Sequence, residues 1–448
     1  MRVRFLPRLP LYSAVAALAA TCTLLLTTTP AAAQNLRSWA ESVGEDLDSV
    51  ECKTPTSQTG APMTGTPWHV HAVGLEQAHE HNTGLKPNGE PVKVAVLDSG
   101  VEAGHPTFDG NVLPGADPYD PSSDAQCDLH GHGTAVAGII AGGHDQTRFM
   151  GVAPDAQIIP FRIFPTGEEG GNNTEIPKQI AATIEVAVDA GADVINISIA
   201  VLASPELEQA VEYAWSKGVL IVAATGNEKK YMNDEENDLA PKDEVYYPAN
   251  YPKVLAVGAT DINGALYADE NYGDNMDLIA PGEGISLPSN SGEGYISNQS
   301  GTSFAAPHVA GAVALLIGKY GDEVATPQWI TDRLIDTATH PADGFNEFQG
   351  HGLLNLPKAL TASTEDEGDD EETVQPSFEP RHIEAFPVDH DPLATEKVIG
   401  WASLGIAITL ITLVLVLKKI IPLGRRRGWR PGARRSENPP VSSGADTV

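Results

Sequence analysis

Between residues 67 and 360, short runs of β-branched residues alternate with segments whose apolar positions recur at helical spacing. Val92 to Leu97, Val194 to Ile199, Val219 to Ala224 and Val254 to Val257 are apolar at nearly every position. Such runs leave no wet face and predict strands buried on both sides. Ile176 to Asp189 and Leu207 to Lys217 lie between or beside them and read as amphipathic helices. Strand and helix in alternation predict an α/β fold, a mainly parallel sheet flanked by helices, with ligands received beyond the C-terminal ends of the strands.

The pattern changes on both flanks. Residues 1–33 open with Arg2, Arg4 and Arg8, continue through an apolar stretch from Leu11 to Leu26 and close on Ala31-Ala32-Ala33. This is the three-part pattern of a secretory signal peptide, with the mature chain expected from Gln34. Residues 34–66, rich in Pro, Thr, Ser and Gly, read as a poorly structured N-terminal extension. At 361–397 periodicity stops, and Glu365 to Glu372 holds seven carboxylates in eight residues, an acidic linker that repels itself and cannot bury a core. Val398 to Leu417 contains no charge and is bounded by Lys397 and Lys418. At the helical rise these twenty residues span roughly 30 Å, the thickness of a bilayer core, and predict one C-terminal transmembrane helix. Residues 418–448 carry eight Lys and Arg, so this basic tail is expected to be cytoplasmic, and the domain at 67–360 extracytoplasmic on the cell membrane.

Composition narrows the partners. Sixty acidic side chains against 28 basic ones give a formal net charge of −32, which argues against nucleic acid, because phosphate recognition needs clustered Lys and Arg. Three cysteines in 448 residues exclude a disulfide-dense secreted module.

Four residues have the chemistry of acyl transfer. Val94-Ala95-Val96-Leu97 runs straight into Asp98, a carboxylate at a strand end. His132 precedes Gly133-Thr134-Ala135-Val136-Ala137-Gly138, small residues suited to a helix packed close to a neighbour. Gly301-Thr302-Ser303-Phe304-Ala305-Ala306-Pro307-His308 places Ser303 at the mouth of another helix. A Ser hydroxyl is a weak nucleophile unless an imidazole takes its proton, and a carboxylate must fix the tautomer of that imidazole. Asn227, in Ala223-Ala224-Thr225-Gly226-Asn227 at another strand end, is the candidate donor to an oxyanion. The chain order Asp, His, Ser, with no G-x-S-x-G elbow, is not that of an α/β-hydrolase.

These blocks resemble the signature segments of subtilisin-like serine proteases. Further markers agree in order, among them Gly151-Val152-Ala153-Pro154, Asn196-Ile197-Ser198-Ile199, Asn271-Tyr272-Gly273 and Ala280-Pro281-Gly282. The resemblance implies a serine endopeptidase acting on a protein or peptide, with Asp98 as orienter, His132 as general base and acid, Ser303 as nucleophile and Asn227 as oxyanion donor. Signal, extension, protease domain, linker, membrane helix and basic tail together resemble the layout of the mycosins, the membrane-anchored proteases of type VII secretion systems. That resemblance implies association with a type VII secretion membrane complex and cleavage of a secreted substrate. A membrane protease with no secretion partner, and a mainly structural secretion component, stay open as alternatives.

The chain departs from the family pattern in informative places. Where many relatives have Ser-Leu-Gly-Gly it has Ser198, Ile199, Ala200 and Val201, the strand expected to pair with substrate, so the cleft should be narrow. With Cys22 in the signal, Cys52 and Cys127 remain, and in an oxidising compartment they are expected to pair, worth about 4.5 kcal/mol by loop closure. His69, His71, His79 and His81 lack the spacing of H-E-x-x-H, and the acidic run Asn233 to Glu244 lacks that of an EF-hand. No metal or cofactor is expected.

Overall fold

The computed structural model describes residues 31–45, 47–52, 60–143, 147–164, 175–232 and 246–363, with isolated positions from Lys418 to Arg425. The signal segment before Ala31, the acidic run at 233–244, the linker from residue 364 and Val398 to Leu417 lie outside the described residues. Among the described residues no helix is long and apolar enough to cross a membrane. The chain divides into two units, 1–365 and 366–448, and the architecture below is that of the first.

Six strands form one parallel sheet: β1 Lys93–Asp98, β2 Gln157–Arg162, β3 Val194–Ile197, β4 Leu220–Ala224, β5 Val254–Thr260 and β6 Leu278–Pro281, in the spatial order β6-β5-β4-β3-β1-β2. Helices cover both faces, as a sheet that is apolar on both sides requires. Successive side chains of β1 go to opposite cores: Val94 and Val96 to one, Ala95 and Leu97 to the other. The first core is closed by α2 His132–Ala141 and α5 Thr302–Tyr320, the second by α3 Glu175–Asp189 and α4 Pro205–Ser216. Helix α5 is buried from Thr302 to Gly318, the expected state of a helix that is apolar all round. The strand order reverses at β1, where β2 lies on one side and β3 on the other. In open α/β sheets such a reversal opens a crevice beyond the strand C-termini.

The N-terminal extension corrects the expectation of a poorly structured segment. Helix α1, Ala31–Gly44, places Leu36 and Ala40 in the second core with Trp39 packed against it. Positions 36, 39 and 40 make one apolar stripe flanked by Gln34, Asn35, Arg37, Ser38, Glu41 and Ser42. Arg37 pairs with Asp124 at 2.5 to 3.0 Å, an exposed contact that adds little energy. Further along, the Val50 N–H donates to the Tyr119 carbonyl, and Ala61 exchanges both backbone hydrogen bonds with Tyr295. Cys52 and Cys127 form a disulfide with Cα atoms 6.0 Å apart. The buried pair Arg162–Asp117, at 3.0 Å, adds a guanidinium donor to the Val50 carbonyl.

Candidate active site

Asp98 ends β1, and its carboxylate is 1% exposed. Both of its oxygens lie 2.9 Å from His132 Nδ1. A ring nitrogen set between two carboxylate oxygens carries the proton, which leaves Nε2 as the basic nitrogen. The close approach depends on Gly133: a Cβ there would lie 2.1 Å from the Gly100 carbonyl oxygen and 3.2 Å from Asp98 Oδ1. Any side chain would push α2 off the end of β1.

Ser303 opens α5 and is 8% exposed. Its neighbour Phe304 packs its ring 5.3 Å from the His132 ring, centroid to centroid, so the imidazole lies over the turn that carries the hydroxyl. Gly301, at φ 153°, holds a conformation that side chains disfavour. A Cβ built on it would lie 3.1 Å from Ser303 Oγ and 3.7 Å from Asn227 Nδ2, so hydroxyl and amide converge on the space that Gly301 leaves empty.

The amide of Asn227 is oriented by Thr302. Asn227 Oδ1 accepts from the Thr302 N–H and from Thr302 Oγ1, both at 3.0 Å, and that hydroxyl oxygen accepts the Gly226 N–H at 3.1 Å. With its oxygen engaged by two donors, the amide presents its NH2 to the site. A second link comes from a gap in α5. Pro307 has no N–H, so the carbonyl four residues back, that of Ser303, leaves the helix ladder and accepts from Ser198 Oγ at 2.8 Å. Ser198 in turn accepts from Asn196 Nδ2 at 2.9 Å.

Of the other segment members proposed to meet substrate, Ile199 and Val201 turn into the second core, and Val201 pairs with Tyr247. Ala200 faces the other way. Its methyl lies 3.1 Å, and Glu228 Oε2 lies 2.6 Å, from where a Cβ of Gly226 would be. Asn271 Nδ2, at 2.4 Å, is nearer still, so amide, carboxylate and methyl together crowd the space beside the residue that precedes Asn227.

The histidines of residues 69–81 are dispersed. His69 is buried edge-on to His308, ring centroids 5.0 Å apart, and His79 Nε2 lies 2.9 Å from the Val152 carbonyl oxygen. Burial pushes His308 down to about 4, so five residues after Ser303 this second imidazole is neutral and is no rival base. Asp128 escaped the sequence reading. It is fully buried, four residues before His132, and its carboxylate is ringed by donors. An acidic residue just ahead of a helix start was the available signal.

Comparison with known proteins agrees with this geometry. The model of the subtilase family matches residues 89–352. The alkaline protease of Alkalihalobacillus alcalophilus is 36% identical over 329 residues, 70% of this chain and 77% of its own length. Subtilisin Savinase of Lederbergia lenta is 37% identical over 301 residues, 65% of this chain and 98% of its own. Among solved structures, MycP1 from Mycobacterium smegmatis has a TM-score of 0.60 at 28% identity, covering 72% of this chain and 93% of its own. The MycP3 protease from the type VII (ESX-3) secretion system has a TM-score of 0.61 at 29% identity, covering 71% and 95%.

Proposed function

Because the chain belongs to the subtilase family and is a serine endopeptidase, we propose that Ser303 is its nucleophile, His132 its general base and acid, and Asp98 the group that orients His132. Asn227 and the Ser303 N–H are then the oxyanion donors. The observation that carries this reading is the contact of both Asp98 oxygens with His132 Nδ1. Nε2 takes the proton of Ser303 Oγ as that oxygen attacks the scissile carbonyl, and Asp98 stabilises the imidazolium. The carbonyl π pair moves onto oxygen, where Asn227 Nδ2 and the Ser303 N–H meet the new charge. Collapse expels the amine, which receives its proton from His132, and leaves an ester on Ser303. A water deprotonated by the same nitrogen then attacks the ester, releasing the acid and restoring the hydroxyl.

The substrate is a protein or peptide. Ala200 and Glu228 beside Gly226 favour small side chains next to the scissile carbonyl. The likeness to MycP1 and MycP3, joined to the apolar run Val398 to Leu417 and the basic tail, supports a mycosin role. On this reading the chain is anchored once in the cell membrane with its protease domain outside, cleaves a secreted protein and sits with a type VII secretion membrane complex.

The test is fluorophosphonate labelling of the full chain in mild detergent, with Ser303→Ala as control. Label confined to Ser303, and secretion-complex subunits co-purifying with the chain, are the expected results. A folded wild-type protein that takes no label would sink the triad assignment. A labelled protein that purifies alone would sink only the secretion partnership.

A further inference from the structure

The Asp128 carboxylate accepts five hydrogen bonds. Oδ1 takes Ser99 Oγ at 2.9 Å, the His130 N–H at 3.0 Å and the Gly131 N–H at 2.7 Å. Oδ2 takes the Thr134 N–H at 2.8 Å and Thr134 Oγ1 at 2.6 Å. These donors stand on both sides of His132 in the chain, so one side chain fixes the turn that enters α2 and the first turn of the helix itself. The connection to Asp98 is short. Ser99 gives its N–H to Asp98 Oδ1 at 2.8 Å and its hydroxyl to Asp128, and its oxygen accepts the Gly133 N–H at 3.0 Å.

Five donors and no acceptor make a site for a carboxylate; the acid form would have to expel a donor to seat its proton. Burial raises the proton affinity of Asp128 and outweighs the Thr134 and Gly131 hydrogen bonds that oppose it, and the Asp98 charge adds to the rise. Removing either carboxylate or bridge would therefore be felt at the other.

We propose that Asp128 is a positioning residue for peptide hydrolysis. It holds the backbone around His132 in register with Asp98, so that the imidazole meets both carboxylate oxygens and turns Nε2 to the nucleophile. Its chain neighbour Cys127 ties the same loop to the N-terminal extension through Cys52. The inference rests on the reading of His132 as general base.

It is tested on the full chain in detergent by steady-state kinetics on a peptide substrate, normalised to active sites titrated with the fluorophosphonate. Asp128→Asn is expected to lower kcat per titrated site by about 10- to 100-fold with KM within threefold, the pattern of a group that acts on the chemical step. If that variant does not fold, Thr134→Val keeps the shape, removes one donor, and is expected to lower kcat per site by about 3- to 10-fold. Ser99→Ala breaks the bridge to Asp98 and should fall between the two. A carboxylate that merely staples the fold would lower the titratable fraction and the melting temperature but leave kcat per site within twofold, and that result overturns the proposal. A wild-type chain that does not react with the probe overturns the triad reading and this inference together, before any Asp128 variant is made.

Discussion

Asp128, beside the triad, and the pair Glu270 and Asp277, on the β5 and β6 side of the sheet, are carboxyl groups whose proton affinity burial raises. They differ in exposure and in the donors aimed at them: Asp128 is fully buried, Glu270 nearly so and Asp277 half-buried. Asp128 accepts five hydrogen bonds. Glu270 accepts one, from the Ala259 N–H at 2.7 Å, and Asp277 one, from the Ala256 N–H at 2.8 Å. Burial therefore pushes Glu270 up to about 8 and Asp277 up to about 7, because a single donor does not replace the lost hydration of a carboxylate. Donors oppose the effect of burial on a carboxyl group without cancelling it: at Asp128 burial still outweighs the hydrogen bonds from Thr134 and Gly131. Among the described residues the protein therefore concentrates donors on the carboxylate beside His132 and aims one each at Glu270 and Asp277.

This contrast separates two kinds of damage. On the triad side, substitutions should cost turnover and leave melting nearly unchanged. The largest effect expected outside the triad Asp98, His132 and Ser303 is that of Asn227→Ala, about 10²- to 10³-fold in kcat with KM little altered, a magnitude carried over from a subtilisin that lost its matching donor. Melting that dropped in step with activity would show that the amide holds the fold instead. A smaller effect is expected for Ala200→Gly, which removes the one methyl among the groups that crowd Gly226. Peptides with larger residues before the cut should gain about tenfold in kcat/KM over those with small ones, and an unchanged ratio would place the restriction elsewhere.

The smallest effect is expected on the other side, in stability. Glu270 and Asp277 keep protons in the folded protein that the unfolded chain has released above about pH 4. Their contribution is fully present below that pH and is lost as pH rises through about 7 and then about 8. Glu270→Gln should flatten the fall of melting temperature between pH 5 and pH 9 by a few degrees, with kcat unaltered. Equal slopes in variant and wild type would mean that Glu270 is already ionised in the fold.

The parts of the molecule legible in the sequence are those whose signal is local. Val94 to Leu97 announced both a buried strand and the carboxylate at its end, and the small residues after His132 announced a tightly packed helix. Strand β2 was missed because Pro160 and Arg162 break an otherwise apolar run. Both are tolerated because β2 is an edge strand and Asp117 neutralises the guanidinium. Helix α1 was missed because its stripe is three residues wide and its partners lie far along the chain. Asp128 was missed for a deeper reason: its meaning lies in five donors that only the folded loop brings together.

The disulfide between Cys52 and Cys127 changes what maturation can mean for this chain. Each half-cystine lies on a different side of every peptide bond from residue 52 to residue 127. A cut in that stretch would give two polypeptides and one molecule, migrating together without reductant and apart with it. Processing there is nicking rather than shedding, and helix α1 would stay with the protease as a covalently retained second chain.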